Sequence, residues 1–357
     1  MSIDQNRLQK PSLVRKAAGA LKLALLLSAA STLSQAQFQT PVTLPLVNGW
    51  TSQPFSTGRA LVEQQNGIVQ FRGAISSGTT LVPFTLPAPF RPATNVYVPI
   101  DLCNATKGRL HIAPSGLTDI EVEGGVSSNA VCFTSLDGAS FAPNPTGFTL
   151  LALTNGWTNA PFSTSNVAFK NINGIVHLKG AMAGGASGTA FTLPSAVRPA
   201  KDVYIPVDLC NSANGRLHIS PSGLADVEAE HSFTDAQCFT SLDGAWYDLG
   251  GGSLRALTLL NGWTNGPFNT AVAQVGSAYG IVYFKGAIAT SGTNAHPFAL
   301  VPSYRPNAEV YVHIDLCGAT NGRLHIKTDG TVDVQAEGGS FINAQCFTSL
   351  DGASFVQ

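Results

Sequence analysis

One stretch occurs three times in this chain, and that fact restricts the fold more than any other. Asp101-Leu-Cys-Asn-Ala-Thr-Lys-Gly-Arg-Leu-His-Ile112 returns as Asp208-Leu-Cys-Asn-Ser-Ala-Asn-Gly-Arg-Leu-His-Ile219 and as Asp315-Leu-Cys-Gly-Ala-Thr-Asn-Gly-Arg-Leu-His-Ile326. The flanking segments recur in the same order. The Asn-Gly-Trp triplets begin at Asn48, Asn155 and Asn261, steps of 107 and 106 residues. A step of that length is a small domain rather than a solenoid repeat. The spacing therefore predicts three β-domains in tandem, at 43–141, 149–247 and 255–357. Short Pro- and Gly-containing linkers, Ala142–Phe148 and Asp248–Leu254, join them.

Within each copy the apolar residues alternate with period two. In Val69-Gln-Phe-Arg72, Val176-His-Leu-Lys179 and Val282-Tyr-Phe-Lys285 the first and third residues are apolar, the signature of a half-buried strand. Val96, Val98 and Ile100 alternate in the same way. Pro99 and Pro206 lack an N–H donor, so their strand is expected to lie at a sheet edge or to point those positions away from the ladder. No helical period of useful length follows the first 36 residues. The fold class expected is all-β: three antiparallel β-sandwich or jelly-roll-like domains.

The repeated stretch leads into a hairpin. With the turn centred on Gly116, Leu110 faces Val122 and Ile112 faces Ile120 on the inner side. Arg109 then opposes Glu123 and His111 opposes Glu121 on an outer, solvated side. The same register sets Arg216 against Glu230, His218 against Glu228 and Arg323 against Glu337. These are expected to be structural cross-strand pairs.

Six cysteines allow 15 pairings. One pair falls in each copy, so the repeat selects Cys103–Cys132, Cys210–Cys238 and Cys317–Cys346. In an oxidising compartment each bridge contributes roughly 3–4 kcal/mol by loop-closure entropy. Two thiols without a Cys-x-x-Cys spacing do not make a zinc site. No metal or other cofactor is expected.

Residues 1–36 read as a secretory signal: Arg7, Lys10, Arg15, Lys16 and Lys22 precede the apolar Leu23–Leu33, and Ser34-Gln35-Ala36 supplies a cleavage site. The expected destination is extracellular or the cell surface, with the periplasm as the other compartment. No transmembrane segment is expected after signal removal. Five of the 20 basic residues and one of the 21 acidic residues lie in that leader, leaving 15 against 20 and a net charge of −5. No basic cluster is present, which argues against a nucleic-acid partner. Charged residues make up 11% of the chain, against roughly 25% in ordinary globular proteins. Its surface must be Ser, Thr, Asn, Gln and Gly, as in secreted β-proteins that meet neutral polar ligands.

The ordered set of motifs resembles the receptor-binding head domains at the C-termini of bacteriophage tail fibres and tail-tip proteins. In the second copy the set is Asn155-Gly-Trp-Thr158, Gly174-Ile-Val-His-Leu-Lys-Gly-Ala181, Phe191-Thr-Leu-Pro194 with Arg198-Pro-Ala200, Val203 to Asp208, Gly215 to Ile219 and Thr240-Ser-Leu-Asp-Gly244. The resemblance spans about Thr43 to Gln357. It implies a compact antiparallel β head that attaches to cell-surface glycans or proteins, commonly as a homotrimer. The leader, the missing fibre shaft and the paired cysteines depart from phage heads and point to an exported bacterial-type protein that reuses the module. Three copies in one chain suggest an intramolecular pseudo-trimer.

The candidate ligand-binding residues are Trp50, Trp157, Trp263 and Trp246, with the variable positions Gln70, His177 and Tyr283. Trp50, Trp157 and Trp263 could stack on a sugar ring, although closing the base of their own sandwich is the plainer role for a large aromatic. Trp246 stands where the other copies have Ser140 and Ser354, which suggests a copy-specific surface contact. The loops Ser76–Leu81, Ala183–Thr189 and Thr290–Ala295 vary within a constant frame, as binding loops do.

Catalytic readings are weaker. Arg109, His111 and Glu121 could form an acid/base group, but copy three has Gln335 in place of the carboxylate. Ser135, His111 and Asp101 lack a nucleophile elbow, and Asp119, Glu121 and Glu123 lie along one strand face without an apolar pocket. The expectation is a non-enzymatic binding or adhesion protein for surface glycans. A structural component of an extracellular matrix or appendage, acting through protein contacts, is the alternative.

Overall fold

The computed structural model describes residues 38–250 and 253–357. The expected signal segment lies outside them. The chain is all-β, with three modules built on one plan and one disulfide in each: Cys103–Cys132, Cys210–Cys238 and Cys317–Cys346.

In the first module one sheet orders Phe38–Thr43, Leu61–Gln65, Ile68–Arg72 and Ser140–Phe141. A second orders Phe84–Thr85, Leu117–Val122, Lys107–Ile112 and Val96–Asp101. A small third sheet joins Thr51–Ser52, Ala74–Ser76 and Thr134–Ser135. The alternation in the sequence buries one face of each strand. Phe71 meets Phe84 and Phe141 with ring centroids 6.2 and 6.1 Å apart, and Leu110, Ile112 and Ile120 complete this core. The other modules repeat it, although in the second the counterparts of the second and third sheets join into one of seven strands.

Short helices accompany the sheets, and the expected hairpin register needs correction. Three short α-helices, Ser127–Cys132, Phe233–Cys238 and Phe341–Cys346, each deliver the second cysteine of a bridge. At six residues apiece they are too short to leave a helical period in the sequence. The hairpin register is also shifted by two. Arg109 opposes Glu121, not Glu123, and His111 opposes Asp119, not Glu121. Likewise Arg216 opposes Glu228, not Glu230; His218 opposes Asp226, not Glu228; and Arg323 opposes Gln335, not Glu337.

The cause is the turn. Ala113 and Leu117 close it, the Gly116 N–H donates to Ala113 at 2.8 Å, and Gly116 sits at φ +87° as the last of three loop residues. This is a type I turn ending in a left-handed bulge residue, so the centre is Ser115. Because the shift is two and not one, the inward and outward faces are unchanged.

The outward face is not solvated, however. Arg109 donates to Asp208 of the second module at 2.9 Å, Arg216 to Asp315 of the third at 3.2 Å, and Arg323 to Asp101 of the first at 3.0 Å. Each Arg also reaches the carbonyl after its Asp: Leu209, Leu316 and Leu102. The repeated Asp-Leu-Cys and Gly-Arg-Leu-His motifs are thus the two halves of one joint, used three times in a closed cycle. Ser135, Ser241 and Ser349 run the cycle the other way, donating to the carbonyls of Tyr311, Tyr97 and Tyr204 at 2.6–2.7 Å. The Pro99 and Pro206 strand forms ladder pairs over its full length only with its hairpin partner, and its other side faces the neighbouring modules.

Candidate functional site

The aligned strands Ile68–Arg72, Ile175–Lys179 and Ile281–Lys285 lie in corresponding four-stranded sheets of the three modules, and their first halves converge on one cavity of about 410 Å³. The hairpins that precede them have Asn66-Gly67, Asn173-Gly174 and Tyr279-Gly280 at their tips, all at positive φ. That is the conformation a two-residue hairpin needs. Register then aims Gln70, His177 and Tyr283 at the same space, each opposite Ser140, Trp246 and Ser354 on the closing strand.

Four sequence candidates therefore meet here: Gln70, His177, Tyr283 and Trp246 all line the cavity. Trp246 is 4% exposed and meets Tyr283 edge to face at 6.2 Å, so it is a wall of the cavity and not an outer surface contact. Trp50, Trp157 and Trp263 are elsewhere. Each is 5% exposed within its own core, its indole N–H donating to Thr80, Ser187 or Asn294 at 2.8–2.9 Å. A Cβ at Gly78 or Gly185 would fall 2.0 Å from the indole of Trp50 or Trp157, so these rings are locked against backbone. They are structural. The loops Ser76–Leu81, Ala183–Thr189 and Thr290–Ala295 cover these tryptophans and contribute nothing to the cavity.

The structure adds residues that the sequence reading passed over. Ile68, Ile175 and Ile281 form an apolar ring, and Gln65 donates across the module boundary to the carbonyl of Tyr279 at 2.9 Å. Tyr279 holds φ +54° where the other two copies have Asn, a left-handed conformation that favours Asn or Gly over an aromatic. It is also 58% exposed. A tyrosine kept in an unfavourable turn position was a signal available in the sequence.

Among the described residues, none that lines the cavity is Asp, Glu, Lys or Arg. His177 is neutral at physiological pH, because burial, and secondarily the nearby Lys170, push its imidazole down to about 4. The cavity is uncharged, with aromatic and aliphatic walls and amide, hydroxyl and imidazole groups at their edges.

The residues weighed for catalysis are engaged elsewhere. Ser135 accepts from the Asp137 N–H at 3.2 Å and donates to Tyr311, while Asp101 holds Arg323. His111 stacks on Tyr97 at 4.5 Å, and its counterparts His218 and His325 stack on Tyr204 and Tyr311. Glu123, Glu230 and His231 bring donor atoms within 4.8 Å of one another. Burial, reinforced by Glu123 and Glu337, raises the Glu230 carboxyl to about 8.

Compared with protein-family models, curated proteins and solved structures, the chain matches none.

Proposed function

We propose that this is an exported, non-enzymatic binding protein that attaches to glycan-bearing surfaces through the cavity shared by its three modules. The observation that carries the reading is the uncharged lining around Trp246, Tyr283, His177 and Gln70. A neutral saccharide presents alternating apolar faces and hydroxyl groups, which aromatic walls and amide or hydroxyl edges accommodate without desolvating a charge. Glycoside hydrolysis would need two carboxyl groups flanking the bond, and among the described residues the lining supplies none. Three disulfides suit an oxidising compartment. Among the described residues no helix is long and apolar enough to cross a membrane. The motif resemblance to phage receptor-binding heads is in keeping with attachment.

The test is retention on an array of neutral oligosaccharides, followed by titration calorimetry with those retained. Trp246→Ala should weaken binding at least about tenfold, equivalent to 1.4 kcal/mol, while the core indole variant Trp157→Phe leaves it intact in protein that folds. Saccharide binding indifferent to Trp246, or its absence with self-association in its place, would overturn the reading in favour of a structural component.

A further inference from the structure

Lys107 has no counterpart in the other modules. The equivalent positions are Asn214 and Asn321, whose amides donate to the Ala319 and Ala105 carbonyls of the next module in the cycle. Lys107 instead reaches the carbonyl of Ala213, one residue beyond the matching Ser212, at 3.3 Å and also touches Asp208 Oδ1. Neither the Lys107 nor the Asp208 side chain is exposed to solvent. The joint does not need this ammonium. Asp208 already receives Arg109 on Oδ2 at 2.9 Å, and Asp315 and Asp101 are held by Arg216 and Arg323 with no lysine beside them. An asparagine does the structural work twice, yet the first module buries an amine against a carboxyl group.

A third group completes the arrangement. Glu123 accepts the Asn214 N–H at 3.0 Å, and Asn214 is the ladder partner of Asp208. Its other oxygen, Oε2, is buried without a partner. Burial pushes the Lys107 amine down and the Glu123 carboxyl up, and Glu123 is close enough to act electrostatically on both Lys107 and Asp208. A desolvated amine is a nucleophile, a carboxyl held by a guanidinium is an electrophile, and a carboxylic acid nearby can move protons.

We propose that Lys107 and Asp208 condense into an isopeptide bond, joining the first and second modules covalently. A proton passes from the Lys107 ammonium to the Asp208 carboxylate, leaving a neutral amine and a neutral acid. Nζ attacks Cγ, and Arg109 at Oδ2 stabilises the oxyanion that develops. Glu123 takes a proton from the nitrogen and returns one to the departing Oδ1 hydroxyl. The Cγ–Oδ1 bond breaks, one water leaves and the Nζ–Cγ amide remains. Nothing is oxidised or reduced, and no co-reactant is consumed. Condensation is unfavourable in bulk water, but groups held in contact in a dry site react with effective molarities on the order of 10⁵–10⁸ M. Arg109 keeps a carboxylate afterwards, because Glu121 holds it at 2.6 Å. Asn214 and Asn321 provide no amine, so the other two joints stay non-covalent.

The experiment is the intact mass of the folded full-length chain after its disulfides are reduced and alkylated, followed by tryptic mapping. The expected mass is one water below that of the secreted sequence, with Lys107 resistant to trypsin and a branched peptide containing Lys107 and Asp208. Asp208→Asn should expel ammonia instead of water and give a product of the wild-type mass. Glu123→Gln should keep the three disulfides but accumulate uncondensed chain, which separates the bond from folding. A folded wild-type chain of full mass, cleaved after Lys107, overturns the proposal. Condensation at the wild-type rate in Glu123→Gln overturns the role given to Glu123.

Discussion

Three aspartates of the Ser-Leu-Asp-Gly turns concentrate the chemistry of single residues. Asp137, Asp243 and Asp351 accept the N–H of Gly73, Gly180 and Gly286 at 2.8–3.0 Å, with Oδ2 buried and unpartnered in Asp137 and Asp243. Burial outweighs that hydrogen bond and raises them to about 7, 6 and 7. A carboxyl raised in the folded state holds its proton longer than in the unfolded chain, so its contribution is greatest in acid and is lost as pH rises through the folded value. His177 and His313, pushed down to about 4 and 3 by burial, act oppositely, but only below the unfolded histidine value near 6.5. Stability should therefore rise as pH falls from 8 and go on rising below about 6.5, because the two histidines only partly offset the three aspartates. Thermal melts should show this slope, and replacing all three aspartates with asparagine should reduce it, the remainder coming from Asp101, Asp315, Glu230 and Glu337, which burial raises to about 7, 7, 8 and 7.

At the scale of elements, the hairpin of the repeated motif is the informative unit. Its strands were legible because Leu110, Ile112, Ile120 and Val122 alternate with polar residues. Its register was not, since register depends on which loop residue takes the left-handed conformation. Gly116, Gly223 and Gly330 take it, at φ +87°, +88° and +92°. A Cβ at Gly223 would also come within 2.6–2.9 Å of the Arg198 side chain, whose Nε donates to the Leu193 carbonyl at 2.9 Å. Gly223→Ala should lower stability by at least about 1 kcal/mol, read as a lower urea midpoint at constant slope. The strands that line the cavity were legible too. That they face one another was not, because each belongs to a different module.

For the whole molecule the joints are decisive. The turn glycines interlock the modules: a Cβ at Gly244 would lie 2.9 Å from the Ser140 carbonyl, and one at Gly138 would lie 3.0 Å from that of Ser354. Arg216→Ala would leave Asp315 buried without a cation, a loss of about 3–5 kcal/mol. Glu228→Gln, at the half-exposed edge of the same group, should change stability by less than about 1 kcal/mol. Urea unfolding of the two variants distinguishes a buried joint from a solvated cross-strand pair; equal losses would contradict the arrangement. Calorimetry of the wild type should show one cooperative transition rather than three, because the joints are buried.

The repeat, the period-two alternation and the cysteine spacing were sufficient by themselves for three all-β modules with one bridge in each. They are local properties, set by which face of a strand is apolar and by chain lengths between thiols. What the repeated charges and the variable strand positions do was decided only by assembly. Arg109 and Asp101 look like ordinary surface residues until the neighbouring module buries them, and Gln70, His177 and Tyr283 are distant in the chain until three sheets bring them around one cavity. Coulombic and desolvation effects depend on distance in space, which one strand's pattern does not contain.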